Sequence, residues 1–272
     1  LGEFTLSYKK KIGRHHIDAL AGYTLQKKTY DRLGVEATGF ADDRIHEVTG
    51  HGSNASDISL YSTRKAAWAM MSFLTRVNYS FDDRYTLTGS FRADGSSRFG
   101  IDSRWGYFPS VSAGWTLSNE PFLKDALKDV ASIRLRASWG KSGNNDIGNY
   151  ASLAGISSGS YAFGQTPVST TYEGSFTDAA LGWETTRQTN VGIDLGFFNG
   201  RLNVIGNWYN SISTDILYKY PISSISGATS TTTNMSGAKI RNRGFDVQLD
   251  ARLLTGKVNW NFSTNISVNR NK

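Results

Sequence analysis

Residues 258–269 read Val-Asn-Trp-Asn-Phe-Ser-Thr-Asn-Ile-Ser-Val-Asn, with Asn or Ser at every odd position. Successive side chains of an extended chain point to opposite faces, so Val258, Trp260, Phe262, Thr264, Ile266 and Val268 make one face and the Asn/Ser set a hydrated one. Working outward, Phe245, Val247, Leu249, Ala251 and Leu253 alternate with Asp246, Gln248, Asp250 and Arg252. Val191, Ile193, Leu195 and Phe197 alternate with Asn190, Asp194 and the small Gly192 and Gly196. Ile133, Leu135, Ala137 and Trp139 oppose Arg134, Arg136 and Ser138. Tyr85, Leu87, Phe91 and Ala93 oppose Thr86, Thr88, Ser90, Arg92 and Asp94. Near the start, Ile17, Ala19, Ala21, Tyr23 and Leu25 oppose His16, Asp18, Gly22, Thr24 and Gln26, and Leu20 breaks the rule.

Runs of this kind predict about ten strands of roughly ten to fifteen residues. Their connections alternate in length. Turn-forming residues mark short connections at Gly13-Arg14, Asp82-Asp83-Arg84, Asn199-Gly200 and Thr255-Gly256-Lys257. Polar connections rich in Gly, Ser and Thr fall near 31–63, 95–104, 141–183 and 213–241. Residues 118–130 open on Ser118-Asn119-Glu120-Pro121, a capping-like start with Pro in the first turn, and predict a brief helix on the short-turn side. Short turns at one end and long connections at the other describe an all-β, antiparallel, up-and-down meander.

A soluble sandwich alternates too, but its strands average about five or six residues and its polar face is rich in charge. Strands of ten or more residues tilted at about 40° cover roughly 25 Å, the height of the apolar band of a transmembrane barrel. Aromatics fall where rings sit at the head-group level. Phe81, Tyr85, Phe197 and Trp260 lie beside the short turns, and Trp105, Tyr107, Trp139 and Trp208 toward the long connections. The pattern selects a membrane barrel.

Composition removes other classes. The 272 residues include no cysteine, which excludes a disulfide framework, a Cys-ligated zinc and a thiol nucleophile. No run of eighteen apolar residues offers a transmembrane helix. The formal charge of +7 is spread thinly, with Lys9-Lys10-Lys11 the densest run, so no nucleic-acid patch is built. The chain opens Leu1-Gly2-Glu3-Phe4 without an export signal, which suits an internal piece of a longer protein.

Residues 91–115, FRADGSSRFGIDSRWGYFPSVSAGW, resemble the barrel hallmark of the SusC/RagA-type TonB-dependent outer-membrane transporters. Further matches follow in order: LRASWGKSGNNDIGNY at 135–150, LGWETTRQTNVGIDLGFFNGRL at 181–202 and IRNRGFDVQL at 240–249, with FLTRVNYSFDDRYTLTGS at 73–90 upstream. The resemblance covers nearly the whole chain. It implies that residues 1–272 are part of one barrel domain, about ten strands of an expected 22, with the plug domain, signal peptide and terminal strand absent from this stretch. It implies the outer membrane of a Gram-negative bacterium and its lipid as surroundings, and a SusD-like surface lipoprotein as lid. TonB would act through the missing N-terminal region, on an oligosaccharide or peptide substrate. A passive porin-like channel, or an outer-membrane enzyme or adhesin barrel, is the rival reading.

On the polar phase stand Arg92, Asp94, Arg134, Arg136, Glu184, Asn190, Asp194, Asp246, Asp250 and Arg252. In a wide barrel they would wet the lumen, pair between strands, or contact a plug or substrate. Asn259, Asn261, Asn265 and Asn269 extend that face. The two longest connections carry Tyr150, Tyr161, Phe163, Tyr172, Phe176, Tyr218 and Tyr220, suited to stacking on sugars or packing against a lid.

Catalytic and cofactor signals are weak. Gly140-Lys141-Ser142 lacks the Walker glycine, because Leu135 stands in its place, and no helix is expected after it. His15 and His16 are adjacent on a strand and point apart. His46 and His51 share a connection with Asp42, Asp43 and Glu47 that carries metal-ligating residue types without a rigid frame. No nucleophile elbow G-x-S-x-G stands beside a candidate base. A non-enzymatic barrel wall without a cofactor is the expectation.

Overall fold

A computed structural model describes residues 1–38, 40, 42, 44, 58–128, 130–178, 180–228 and 230–272. Twelve strands run in chain order: β1 (Gly2–Ile12), β2 (His15–Ala37), β3 (Ile58–Phe81), β4 (Tyr85–Ser96), β5 (Trp105–Thr116), β6 (Ala131–Asn144), β7 (Gly155–Phe163), β8 (Thr166–Thr177), β9 (Glu184–Phe197), β10 (Leu202–Pro221), β11 (Ser230–Leu254) and β12 (Trp260–Asn271). A 3-10 turn (Leu117–Asn119) and helix α1 (Pro121–Leu127) join β5 to β6.

Ten of these strands, all but β7 and β8, pair antiparallel with their sequence neighbours into one meandering wall. The predicted number of wall strands therefore stands. The β7–β8 hairpin leaves the wall and touches it only through a short parallel pairing, Thr231 with Phe176 and Thr232 with Thr177.

Register explains why the alternation is so regular. One row runs through every wall strand as Lys11, His16, Ser80, Thr86, Gly114, Arg136, Gly192, Asn207, Asp246 and Ser267. The next row, on the opposite face, is Ile12, His15, Phe81, Tyr85, Trp115, Leu135, Ile193, Gly206, Val247 and Ile266. The second row starts on the β1–β2 turn yet reaches Ile193 well inside β9, which continues to Phe197. That stagger is what tilts strands in a barrel.

Burial is inverted relative to a soluble sheet. Ser72 and Ser96 are wholly buried and Asp94 is 7% exposed, whereas Leu87 is 50%, Val191 51% and Ile266 62% exposed on the apolar face. Apolar side chains this exposed in a contiguous sheet fit a lipid solvent. All eight girdle aromatics named above fall on that face by register. At the short-turn end the rings of His15, Phe81, Tyr85 and Trp115 succeed one another at 4.9, 6.4 and 6.5 Å. At the other end Tyr23, Phe73 and Trp105 do so at 5.0 and 6.1 Å.

Four expectations need correction. Strands are not confined to ten to fifteen residues: β2, β3, β10 and β11 span 23, 24, 20 and 25. Beyond the lipid band both faces meet water, so the backbone ladder continues while the alternation fades. For the same reason much of 31–63, 141–183 and 213–241 is strand rather than loop. The helix does not begin on a Ser or Asn cap either; Glu120 is the N-cap residue and its carboxylate makes no capping bond, being used elsewhere. At the other extreme, β12 starts at Trp260 rather than Val258, next to a register shift between Arg252 and Leu254.

Candidate functional site

All ten polar-phase residues lie on the same face of the wall. A concavity of about 690 Å³ opens on that face toward the short-turn end, lined among others by Lys11, His16, Thr86, Arg134, Arg136 and Asn207. The central network crosses four strands. Arg136 donates Nε and Nη2 to the two carboxylate oxygens of Asp194 at 2.8 and 2.7 Å, and Nη2 also reaches Asn207 Oδ1 at 3.0 Å. Asn207 Nδ2 then donates to Asp246 at 2.7 Å. A bidentate guanidinium–carboxylate pair fixes orientation as well as charge. Gly192 makes the room: a Cβ there would sit 2.7 Å from Asn207 Oδ1 and 3.0 Å from Arg136 Nη2.

Other members settle locally. Arg92 Nε donates to both oxygens of Asp94 at 2.7 and 2.8 Å, and Nη2 to the buried Ser72 hydroxyl at 3.1 Å. Asp250 accepts from Gln248 at 2.8 Å and from Ser263 at 2.6 Å. Asn190 donates to Ser138 and accepts from Gln188. Glu184 accepts the backbone N–H of Leu217 at 3.0 Å, just past the irregularity between Thr214 and Ile216. Arg134 and Arg252 form no ion pair among the described residues. Asn207 escaped the sequence reading because Ile205 and Tyr209 share its face and blur the alternation of β10.

Glu120 was also missed as anything but a helix start. It is 5% exposed and accepts from Tyr85 Oη at 2.5 Å, Trp115 Nε1 at 2.8 Å and Arg84 Nη1 at 2.9 Å. Arg84 reaches on to Asp82 at 2.7 Å, and Asn119 Nδ2 bonds the Asp83 carbonyl, so one carboxylate ties the β3–β4 turn to the β5–α1 connection. Hydrogen bonds from Tyr85 and Trp115, with the Arg84 guanidinium, hold the Glu120 carboxyl below the usual carboxylate range. A folded-state value below the unfolded one means that the clamp is fully present above the ordinary carboxylate range and is lost as pH falls through the depressed value. We expect Glu120→Gln to speed hydrogen exchange in the 82–85 turn at neutral pH. The gap from wild type should close on acidification, and a gap independent of pH would contradict the clamp.

At the long-connection end, segments meet in a small core. Phe99 and Leu181 are 1% and 0% exposed, and the Trp183 ring meets Phe99 tilted at 5.2 Å and Phe108 edge-on at 5.3 Å. Trp183 Nε1 donates to Arg104 O, Ser103 Oγ to Ala180 O, and Asn234 exchanges two hydrogen bonds with the Gly182 backbone. Arg98 lies over Trp68 at 4.9 Å and donates to Asn145 O and Asn149 Oδ1. These ties join the β4–β5, β6–β7 and β8–β9 connections. Phe99 sits in a polar-looking stretch, DGSSRFGIDS, where its apolar neighbours come from distant segments.

The aromatics assigned to loops are mostly on strands. Tyr150 sits in a turn and accepts the Ala67 N–H at 3.0 Å, whereas Tyr218 and Tyr220 lie near the end of β10. In the β7–β8 hairpin, Tyr161 meets Phe163 edge-on at 5.0 Å with Val168 opposite. Tyr172 lies over Gly159, where a Cβ would be 3.2 Å from its ring. Tyr161, Phe163 and Tyr172 are 61%, 66% and 51% exposed on one face, and the other face carries Ser158, Ser160, Ala162, Ser169 and Thr171.

No catalytic constellation assembles among these residues. Lys141 lies within β6, so no phosphate loop precedes a helix. Gly155-Ile156-Ser157-Ser158-Gly159 fits the nucleophile-elbow spacing, yet it is a plain stretch of β7 with Ser157 opposite Tyr172. His15 bonds Tyr79 Oη at 2.8 Å on the apolar face, and His16 lies on the polar one. Asp42 is held by Arg44 at 2.7 Å; Asp43, His46, Glu47 and His51 lie outside the described residues.

The family model for TonB dependent receptor-like β-barrels matches residues 2–271. TonB-dependent receptor P39 of Formosa agariphila is 33% identical over 271 residues, covering 98% of this chain and 25% of P39. TonB-dependent receptor SusC of Bacteroides thetaiotaomicron is 32% identical over 273 residues, covering 98% of this chain and 26% of SusC. The structure of the RagAB peptide transporter superimposes with a TM-score of 0.84 at 29% identity, over 99% of this chain and 29% of the transporter chain. The chain thus spans about a quarter of the length of the curated relatives it matches.

Proposed function

Because the chain belongs to the TonB-dependent receptor β-barrel family, we propose that it forms wall and extracellular connections of an energy-driven outer-membrane importer of oligosaccharides or peptides. The observation that carries this is the continuous two-faced wall, polar and networked on one side, apolar and girdled on the other. Residues 1–272 belong, in this reading, to a single barrel domain of a Gram-negative outer membrane. The barrel needs further strands to close its edges, because open edges and lipid-facing backbone cannot coexist.

The polar face lines the lumen. Its concavity seats the plug, with the Arg136–Asp194–Asn207–Asp246 network as a rigid floor and Arg134, without an ion pair among the described residues, as a contact for plug or substrate. No covalent step or cofactor is needed: the wall holds shape and hydration while the plug moves. Likeness to SusC and RagAB supports a SusD-like lipoprotein as lid and TonB as energy source.

The β7–β8 hairpin reaches toward that lid and its cargo. Rigid aromatic rings among small hydroxyl side chains give contact area at little cost in side-chain entropy. Replacing Tyr161, Phe163 and Tyr172 together by Ala in the intact protein is expected to weaken retention of the lid or substrate by about tenfold or more. Unchanged retention of both would remove the hairpin from the account. To separate importer from porin, the intact protein is placed in a planar bilayer. The plugged importer stays closed to small ions, and steady open conductance supports the porin.

A further inference from the structure

The outer face carries a second feature, which the importer reading does not use. Above the apolar band, Lys141 of β6 stands directly opposite Arg187 of β9, and Arg243 of β11 directly opposite Arg270 of β12. Arg241 lies on the same face of β11, across from Ile212 of β10. Like charges facing each other across a ladder are only about 5 Å apart at Cβ and destabilise the pair. No acidic side chain relieves them: among the described residues none of the five forms an ion pair, and their one side-chain hydrogen bond runs from Arg241 Nε to the neutral Asn210 amide at 2.7 Å.

Lys141, Arg187 and Arg270 share one height along the wall, Arg243 pairs with Arg270 at that height, and Arg241 lies two residues above it on β11. Ala131 to Lys141, Phe197 to Arg187 and Trp260 to Arg270 each cover ten steps from the short-turn end of the strand. Ten steps are about 33 Å of strand, or about 25 Å of bilayer at a tilt of about 40°, the full apolar height. Just below them, Trp139, Trp208 and Phe245 mark the head-group boundary on the same face. A cation cluster at that height faces the lipid leaflet beneath the long connections.

We propose that Lys141, Arg187, Arg241, Arg243 and Arg270 form a binding site for a phosphate-bearing lipid head group in the extracellular leaflet. A phosphate between the facing cations replaces repulsion with charge-assisted hydrogen bonds, and Arg presents the fork geometry for it. The inference rests on the barrel reading and its orientation, and adds a lipid contact on the outside of the wall.

The intact protein is placed in phosphatidylcholine nanodiscs containing lipid A, a bisphosphorylated glycolipid, or its dephosphorylated form, and bound lipid is counted by native mass spectrometry. Wild type should retain the phosphorylated form preferentially, and less of it as salt rises. Arg187→Gln, Arg241→Gln and Arg243→Gln combined should cut that preference about a hundredfold, each cation near an anionic surface contributing about fivefold. The corresponding Lys variants should keep most of it. Equal retention of the two lipids by wild type, or unchanged preference in the Gln variant, overturns the site. So does loss of the lid protein with lipid binding intact, which would assign the patch to a protein partner. If the Gln variant fails to assemble, the salt series on wild type decides. Membrane fractionation reports separately on the barrel reading, since a protein outside the outer membrane would fail there first.

Discussion

Ile193→Arg and Leu249→Arg will each destabilise the assembled wall by about 2–4 kcal/mol, whereas Gln248→Arg will be close to neutral, because a charge on the lipid face is penalised according to depth and one in the lumen is hydrated. Ile193 belongs to the apolar row between Leu135 and Gly206, and Leu249 pairs with Val204 on the same face. Gln248 is one residue away but faces the polar side, opposite Ile205 and Asn265. A one-residue difference thus moves a guanidinium from hydrocarbon to water. The check is denaturant-dependent refolding of the intact protein into lipid, read by heat-modifiable electrophoretic mobility. Equal losses at 248 and 249 would contradict the inside–outside assignment.

Phe99→Ala should cost about 3–5 kcal/mol, the range for deleting a fully buried ring, and the loss should fall on the long connections rather than on the wall. Phe99 touches Trp183, and Leu181 is buried in the same region, so a void there loosens the contact between the β4–β5 turn and the β8–β9 connection. The neighbourhood is tight: a Cβ at Gly143 would lie 2.2 Å from Phe108 Cζ and 2.9 Å from Trp183. Limited proteolysis of cells displaying the intact protein should show faster cleavage within 97–104 and 145–183 and an unaltered barrel core. Protection equal to wild type would mean that hydrogen bonds from Trp183, Ser103 and Asn234 hold these segments without the ring.

Wall strands were legible because two solvents impose one pattern. In β4, β6, β9, the lower part of β11 and β12, lipid selects one parity and water the other, so hydropathy alone gives face and phase. The upper parts of β2, β3, β10 and β11 gave no such signal, since both faces leave the membrane and Ser and Thr serve equally well on either. The β7–β8 hairpin is hidden for the same reason, so sequence alone gives its aromatics as loop residues. Polar-phase residues such as Arg136 and Asp194 could be placed on a face from sequence, but their pairing through Asn207 depends on register across four strands. Glu120 shows the opposite failure: a local capping pattern was present, and tertiary donors took the carboxylate instead.

The most direct test of the central claim is uptake of labelled oligosaccharide and peptide by cells carrying the intact protein, with and without a functional TonB. The account predicts that uptake collapses when TonB is removed, or when the proton gradient is discharged, while the barrel remains assembled in the outer membrane. Uptake that continues at the same rate without TonB would contradict it and leave a passive channel.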